Sequence, residues 1–161
     1  MGETIVSLIH KRIHKDNKNF LAVVVGPTGS GKSYSALSLA EILDPEFTVE
    51  RCCFSPEEFV TLLNSGKLHR GNFVILDEAG VIMDSRQFMS FSNRALSYIL
   101  ETFRHEGLGV VFCLPDWSMM DINARKLVHC FLETIEITNN NECLCKPFFV
   151  TNNARYGRIY L

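Results

Sequence analysis

The sequence has no excess of charge of either sign. Its formal net charge is −2, which argues against a generally basic nucleic-acid binder and leaves room only for a local basic surface. No apolar run approaches the roughly 20 residues needed to span a bilayer, and the N-terminus lacks the basic-then-apolar layout of a signal peptide. The expectation is a cytoplasmic chain without a transmembrane segment. Six cysteines are present, but no C-x-x-C pair, which fits a reducing compartment. Strand alternation places Cys143 and Cys145 on one face, where they could ligate a metal; small core residues are the preferred reading of all six. Repeats, low-complexity tracts and linkers are missing as well. With 161 residues, 47% hydrophobic and 21% charged, the chain reads as one globular domain over 1–161, with an N-terminal amphipathic helix within 1–18 and a terminal hairpin over 139–161.

One stretch is dense with chemistry: Gly26-Pro27-Thr28-Gly29-Ser30-Gly31-Lys32-Ser33. Ahead of it, Phe20-Leu21-Ala22-Val23-Val24-Val25 is an apolar, β-branched run suited to a buried parallel strand. Behind it, Ala36, Leu37, Leu39, Ala40 and Leu43 recur at helical spacing. Strand, glycine loop and helix make a P-loop of the form G-x-x-x-x-G-K-S. The physics is anion capture. Glycines let backbone N–H groups turn inward around phosphate oxygens, and the helix presents its positive end. Lys32 sets a mobile charge against the β- and γ-phosphates, and the Ser33 hydroxyl is a hard ligand for Mg²⁺. The predicted cofactors are ATP and Mg²⁺, with Gly26 to Ser33 and the adjoining Tyr34 as the nucleotide-binding residues. A chance glycine-rich turn is the rival explanation, and the flanking strand and helix argue against it.

Elsewhere the pattern is scaffold with one exception. Thr4 to Lys15 carries Ile5, Leu8, Ile9 and Ile13 on one side and His10, Lys11, Arg12, His14 and Lys15 on the rest, an amphipathic helix. Packing of its stripe on the domain or on a neighbouring subunit is preferred to a membrane- or DNA-facing role. Phe47 to Phe54 reads as a second strand. Ser55-Pro56-Glu57-Glu58 then opens a helix to about Leu63, with a serine cap, proline at the first position and acids in the first turn. The exception is Phe73-Val74-Ile75-Leu76-Asp77-Glu78, a buried strand ending in two carboxylates at the edge where ligands of open α/β sheets collect. Asp77 is placed to hold Mg²⁺, and Glu78 to polarise a water attacking the γ-phosphate. Such an ending is weak evidence alone and strong evidence one strand and one helix after a full P-loop. A long helix over Ser85 to His105, a strand Val110 to Leu114, a helix marked by Met120, Ala124, Leu127 and Val128, and a strand Phe131 to Thr138 follow. Cys143 to Thr151 and Arg158 to Leu161 read as two strands of a terminal antiparallel hairpin.

Taken together, Asp77-Glu78-Ala79-Gly80, Ser85-Arg86, the run Phe103-Arg104-His105-Glu106-Gly107-Leu108-Gly109-Val110-Val111-Phe112 and Asp121-Ile122-Asn123-Ala124-Arg125 resemble the P-loop ATPases with an additional central strand and a catalytic glutamate. Within that division the likeness is to FtsK/HerA-type DNA-pumping ATPases and zonular-occludens-toxin-like ATPases of phages and archaeal mobile elements, over roughly residues 20–138. The resemblance implies an α/β P-loop NTPase with a mostly parallel five-stranded sheet in the order 5-1-4-3-2, flanked by helices. It also implies a homo-oligomeric ring, DNA as a candidate partner, and an arginine supplied in trans to the γ-phosphate. Arg104 is the first candidate for that role, with Arg86, Arg94 and Arg125 behind it; for each, a solvated surface arginine is the rival reading. The catalytic set is then Lys32, Glu78 and Arg104, with Ser33 and Asp77 on the metal. One departure stands out: where the family places a polar sensor, this chain reads Leu114-Pro115-Asp116, leaving Asp116 or Ser118 as substitutes.

Two other classes compete. A nucleotide or small-molecule kinase would share the loop, but Glu78 sits where water activation is wanted and no arginine-rich lid insertion is visible. A GTPase would carry N-K-x-D after the loop, and the one Asn-Lys pair, Asn17-Lys18, precedes it. A nucleotide-gated interaction module with little turnover stays open because of the altered sensor position. The expected function is Mg-dependent ATP binding and hydrolysis, with DNA translocation or packaging in a viral or mobile-element assembly implied by the resemblance alone.

Overall fold

The computed structural model describes residues 4–77, 90, 106–120, 122–153 and 155–161. Among these, β1 (Phe20–Val25), β2 (Cys52–Cys53), β3 (Phe73–Asp77), β4 (Gly109–Leu114), β5 (Cys130–Ile137) and β6 (Cys143–Phe149) form one sheet in the order β2-β3-β4-β1-β5-β6. The first five strands pair in parallel, and β6 lies antiparallel on β5. The result is a mixed α/β fold whose sheet differs from the five-stranded expectation by this sixth strand. β4 separates β1 from β3, so the strand leading into the glycine loop and the strand ending in Asp77 are not neighbours.

β1 and β4 are buried along their whole length, as strands covered on both faces must be. On one face, Leu21, Val23, Leu76 and Phe112 pack with Phe59 and Leu63 of the helix Pro56–Leu63, α3 in chain order. On the other, Ala22, Val24, Ile75 and Val111 meet Ile9 of α1 (Ile5–His10) and Ala36, Ala40 and Leu43 of α2 (Lys32–Leu43). The start of α3 forms as its sequence demands. Ser55 Oγ accepts from Glu58 N at 3.2 Å, and Glu58 Oε2 accepts from Phe54 N at 2.8 Å, a reciprocal capping box.

The N-terminal segment is helical but not uniformly α. Thr4 caps α1 by accepting from Ser7 N, and Lys11–Lys15 continues as a π-helical turn. Ile9 and Ile13 are buried in the sheet's own core, so the apolar stripe is spent within the chain. Arg12 Nε donates to Asn19 O at 2.7 Å, and its Nη2 lies 2.5 Å from His129 Nε2. His129 Nδ1 accepts from Leu21 N at 2.9 Å. These contacts tie the segment to the starts of β1 and β5.

Three expectations need correction. The strand over Phe47 to Phe54 shrinks to Cys52–Cys53, preceded by a 3-10 turn, Val49–Arg51. The cause is Asp44, buried at 3% exposure, whose carboxylate accepts from Glu46 N (3.0 Å), Arg51 Nη1 (2.6 Å) and Phe73 N (2.9 Å); it pulls the chain in and leaves only two residues free to pair. The terminal hairpin is also built differently. Asn141 takes φ 60°, Asn141 N donates to Thr138 O and Thr138 N to Glu142 O, so the turn folds Cys143–Phe149 back onto β5. A separate ribbon pairs β7 (Thr151–Asn153) with β8 (Arg158–Tyr160). The helix marked by Met120 to Val128 is one turn, Ile122–Arg125, with Met120 and Val128 buried on either side of it. The long helix expected over Ser85 to His105 falls, apart from Ser90, outside the described residues. No described helix is long and apolar enough to cross a membrane.

Candidate active site

Gly26 to Gly31 joins the end of β1 to the start of α2 at the C-terminal edge of the parallel sheet. Gly29 and Gly31 take φ of 81° and 91°, the left-handed region that other residues enter only with strain. Gly26 is constrained by space instead. A Cβ there would stand 1.9 Å from Thr134 Oγ1 and 2.7 Å from Ser30 Oγ. Gly31 is the cap residue of α2 and has no side chain to offer the first-turn N–H groups; those groups and the helix dipole are what an anion meets at such a terminus.

The loop holds itself in shape. Ser30 Oγ donates to Pro27 O at 2.7 Å and lies 2.6 Å from Thr134 Oγ1, which reaches Val25 O at 3.1 Å. Ser30 and Thr134 are both buried, so the serine side chain braces the loop, while its backbone remains part of the expected nest. Lys32 Nζ donates to Gly26 O at 2.7 Å and Pro27 O at 2.9 Å. Its ammonium therefore lies against the mouth of the loop and satisfies two of its carbonyls. Ser33 is half-buried in the first turn of α2, and Thr28 and Pro27 are exposed at the loop's tip. Tyr34 is 74% exposed beside it.

Asp77 is the last residue of β3, 5% exposed, and stands in register with Cys113 of β4. Burial pushes the Cys113 thiol well up; the Asp77 carboxylate pushes it further, and Lys32 pulls it down. One buried thiol thus feels both the lysine of the loop and the acid of the third strand. Cys113 Sγ also reaches Lys32 O at 3.9 Å. Glu78, Arg86, Arg94, Arg104 and Asp121 lie outside the described residues. Arg125 is held locally: its Nε donates to Met120 O at 2.8 Å and its guanidinium lies over the Trp117 ring at 5.7 Å. Asp116 accepts from Ser118 N at 2.6 Å; these hydrogen bonds to Ser118 hold its carboxyl below the usual range. Both sensor substitutes are thus joined in a local cap on an exposed turn.

Two residues at the loop were not legible as such in the sequence. Thr134 was one more position of a strand, although the register Val25↔Glu133 sets it beside the residue that follows β1. Cys143 reaches the loop from β6, its Sγ donating to Ser30 O at 3.2 Å. Among the described residues no group of three or more His, Cys, Asp or Glu converges on a metal position.

No family model and no curated protein matches the chain. Among solved structures, the crystal structure of the N-terminal domain of zonular occludens toxin from Neisseria meningitidis is similar over 81% of this chain and 94% of that chain, with 14% identity and a TM-score of 0.47. That likeness is too loose to assign a family or an activity.

Proposed function

We propose that this chain binds Mg·ATP in the Gly26–Ser33 loop and hydrolyses it, working as an oligomer whose energy output moves DNA. The observation that carries the nucleotide reading is the loop itself: two left-handed glycines, a third excluded from bearing a side chain, and the Lys32 ammonium lying at the loop mouth. The intervening β4 between loop strand and acid strand supports the additional-strand reading. The DNA step is carried by the sequence resemblance alone.

The residues present fit Mg²⁺. Asp77 is a buried carboxylate at the active edge and Ser33 a hydroxyl in the first helical turn, both hard oxygens. Mg²⁺ is commonly bound through one or two such groups together with substrate phosphates rather than in an all-protein cage. When bound, the ion supplies charge neutralisation at the phosphate oxygens. The chain's own part is to hold the phosphates through loop N–H groups, to bring Lys32 against charge that grows in the transition state, and to orient the attacking water through Glu78. Arg104 is the proposed residue acting from a neighbouring copy.

The test is ATP turnover against protein concentration, with and without DNA, for the native chain, Lys32→Ala and Glu78→Gln. Turnover that rises with concentration and with DNA and disappears in both variants supports the proposal. Flat turnover at background under all conditions overturns it. A second reading, a nucleotide-gated binding module with little turnover, is favoured by the capped Asp116–Ser118 turn in the sensor position; it predicts tight ATP binding to the native chain with no hydrolysis.

A further inference from the structure

Strand β6 brings two thiols together over the glycine loop. Cys143 and Cys145 share one face of the strand, and their sulfurs are 3.6 Å apart. Cys143 Sγ donates to Ser30 O, and Cys145 Sγ lies 3.1 Å from Ser35 Oγ in the first turns of α2. Both cysteines are half-buried and free. They line a groove of about 770 Å³ between α1, α2 and the β5–β6 hairpin, beside Tyr34, Leu39 and Ile137. We propose that Cys143 and Cys145 form a two-coordinate site for a soft, thiophilic monovalent cation of the copper(I) class.

Donor count and donor chemistry choose the ion. Thiolates select copper(I), zinc and iron–sulfur species over hard cations. Structural zinc closes a tetrahedron with four ligands, and no third His, Cys, Asp or Glu joins this pair among the described residues. Two sulfurs suit an ion content with two. Geometry agrees. With a metal–thiolate bond of about 2.3 Å, a linear S–metal–S unit spans at most roughly 4.6 Å, so each sulfur must move outward by about half an ångström. A disulfide asks for more, since the sulfurs must close to about 2.05 Å while their Cα atoms stay two strand residues apart, roughly 6.4–6.8 Å, at the upper limit for a bridge.

Deprotonation removes the Cys143 hydrogen bond to Ser30 O, and the outward shift of the sulfurs takes the anion off that carbonyl; the other neighbours suit an anionic S–metal–S unit. Binding exchanges two S–H bonds for two S–metal bonds; two protons leave to solvent, no electron moves, and the site passes from neutral to a net charge of −1. The Ser35 hydroxyl donates to Gly31 O at 2.9 Å and stands 3.1 Å from the Cys145 sulfur; once the thiol proton has left, rotation of that hydroxyl turns its proton to the sulfur, a contact of the kind that orients ligands. Cys143 packs against Gly31, the cap of α2, so the positive end of a 12-residue helix offsets the new charge. The groove is the entry path. None of this depends on nucleotide binding.

The site is tested by titrating the native chain with copper(I) under anaerobic conditions against a chromophoric copper(I) chelator, counting bound metal by native mass spectrometry. One ion per chain is expected, with X-ray absorption showing two sulfurs in near-linear coordination. Cys143→Ser or Cys145→Ser should each weaken binding by more than about 100-fold, since losing even an outer-shell partner costs about 10–100-fold. A Cys52→Ser/Cys53→Ser variant should bind as the native chain does. Failure of the native chain to hold copper against the chelator, undiminished binding in both single-serine variants, or tighter binding of zinc than of copper(I) would overturn the proposal. The absorption spectrum of the native protein decides by itself if a variant does not fold: any coordination other than two sulfurs rejects the site.

Discussion

A methyl group at Gly26 would collide with two hydroxyl oxygens, the nearer of them that of Thr134, and that makes the loop's shape testable as a coupling. Gly26 is not in the left-handed region, so alanine is allowed there by backbone conformation; what forbids it is Thr134 Oγ1 at 1.9 Å, with Ser30 Oγ at 2.7 Å and Thr134 Cβ at 3.2 Å behind it. Forcing a methyl into packed space costs about 1–3 kcal/mol, and Gly26→Ala should reach the upper end because the clash is with a buried residue. Thr134→Ala alone should cost about 1–2 kcal/mol, since it leaves the buried Val25 carbonyl without its hydroxyl donor. In the double variant the 1.9 Å clash is gone, while Ser30 Oγ at 2.7 Å still has to give way, so the rescue is partial. The two costs should then fall short of adding by about 1–2 kcal/mol, well outside the roughly 0.3–0.5 kcal/mol expected of independent sites. Urea denaturation of the four proteins measures the cycle, and binding of a fluorescent ATP analogue should show the same partial rescue. Additive losses would refute the reasoning, because Thr134 would then not be what reserves position 26 for glycine.

Removing the ammonium by Lys32→Ala should weaken binding of the fluorescent ATP analogue by about 10–100-fold, the worth of one or two charge-assisted hydrogen bonds at 1.4 kcal/mol per decade, with the urea midpoint nearly unchanged; equal affinity would remove Lys32 from the site. Asp44→Ala should cost about 3–5 kcal/mol in urea denaturation, as expected when one partner of a buried pair is removed, because Arg51 and the Phe73 N–H lose their acceptor; a loss under about 1 kcal/mol would show that the carboxylate does not organise this edge. Stability should also fall in mild acid through His129. Burial first, then Arg12 and Lys18, pull its value from 6.5 to about 3 in the folded chain, and Nδ1 is used as an acceptor by Leu21 N. The unfolded chain therefore takes up the proton first, so this contribution is complete above pH 6.5 and is lost below it by about 1.4 kcal/mol per unit, roughly 2 kcal/mol by about pH 5. His129→Asn, which keeps an acceptor for Leu21 N–H, should flatten that slope; an equally steep slope in the variant would assign it to another group.

The sequence was most legible where the determinants are local. Strand, loop and helix over Phe20 to Leu43 carry their signals in their own residues, and the cap made by Ser55 and Glu58 closes within Phe54 to Glu58. What escaped was non-local. Cys143 to Phe149 carries the alternation of a strand but nothing in it says which strand it joins, and the asparagine turn presents it to β5. Asp44 follows a helix as many acids do; that it receives Arg51 and a backbone N–H of the third strand is a fact of tertiary approach. Thr134 became part of the loop only through strand register, where a shift by one residue would turn it to the opposite face.

The same non-local contacts explain how the loop stands open in shape while closed in charge. Thr134 braces it at Gly26 and Cys143 at Gly31, so neighbouring strands hold its backbone. Among the described residues, Lys32 is positioned to exchange partners: it places two of its three N–H donors on the carbonyls of Gly26 and Pro27. Under the proposed function, an arriving phosphate would draw the ammonium off these carbonyls, exchanging hydrogen bonds to neutral acceptors for stronger ones to charged oxygen. The rearrangement needed for binding is then one flexible side chain rather than a loop, and the ordering cost falls to that of a single lysine, about 0.5–1.5 kcal/mol. Loosening either brace should show up chiefly as weaker phosphate binding, because the backbone N–H groups would have to be ordered by the ligand itself.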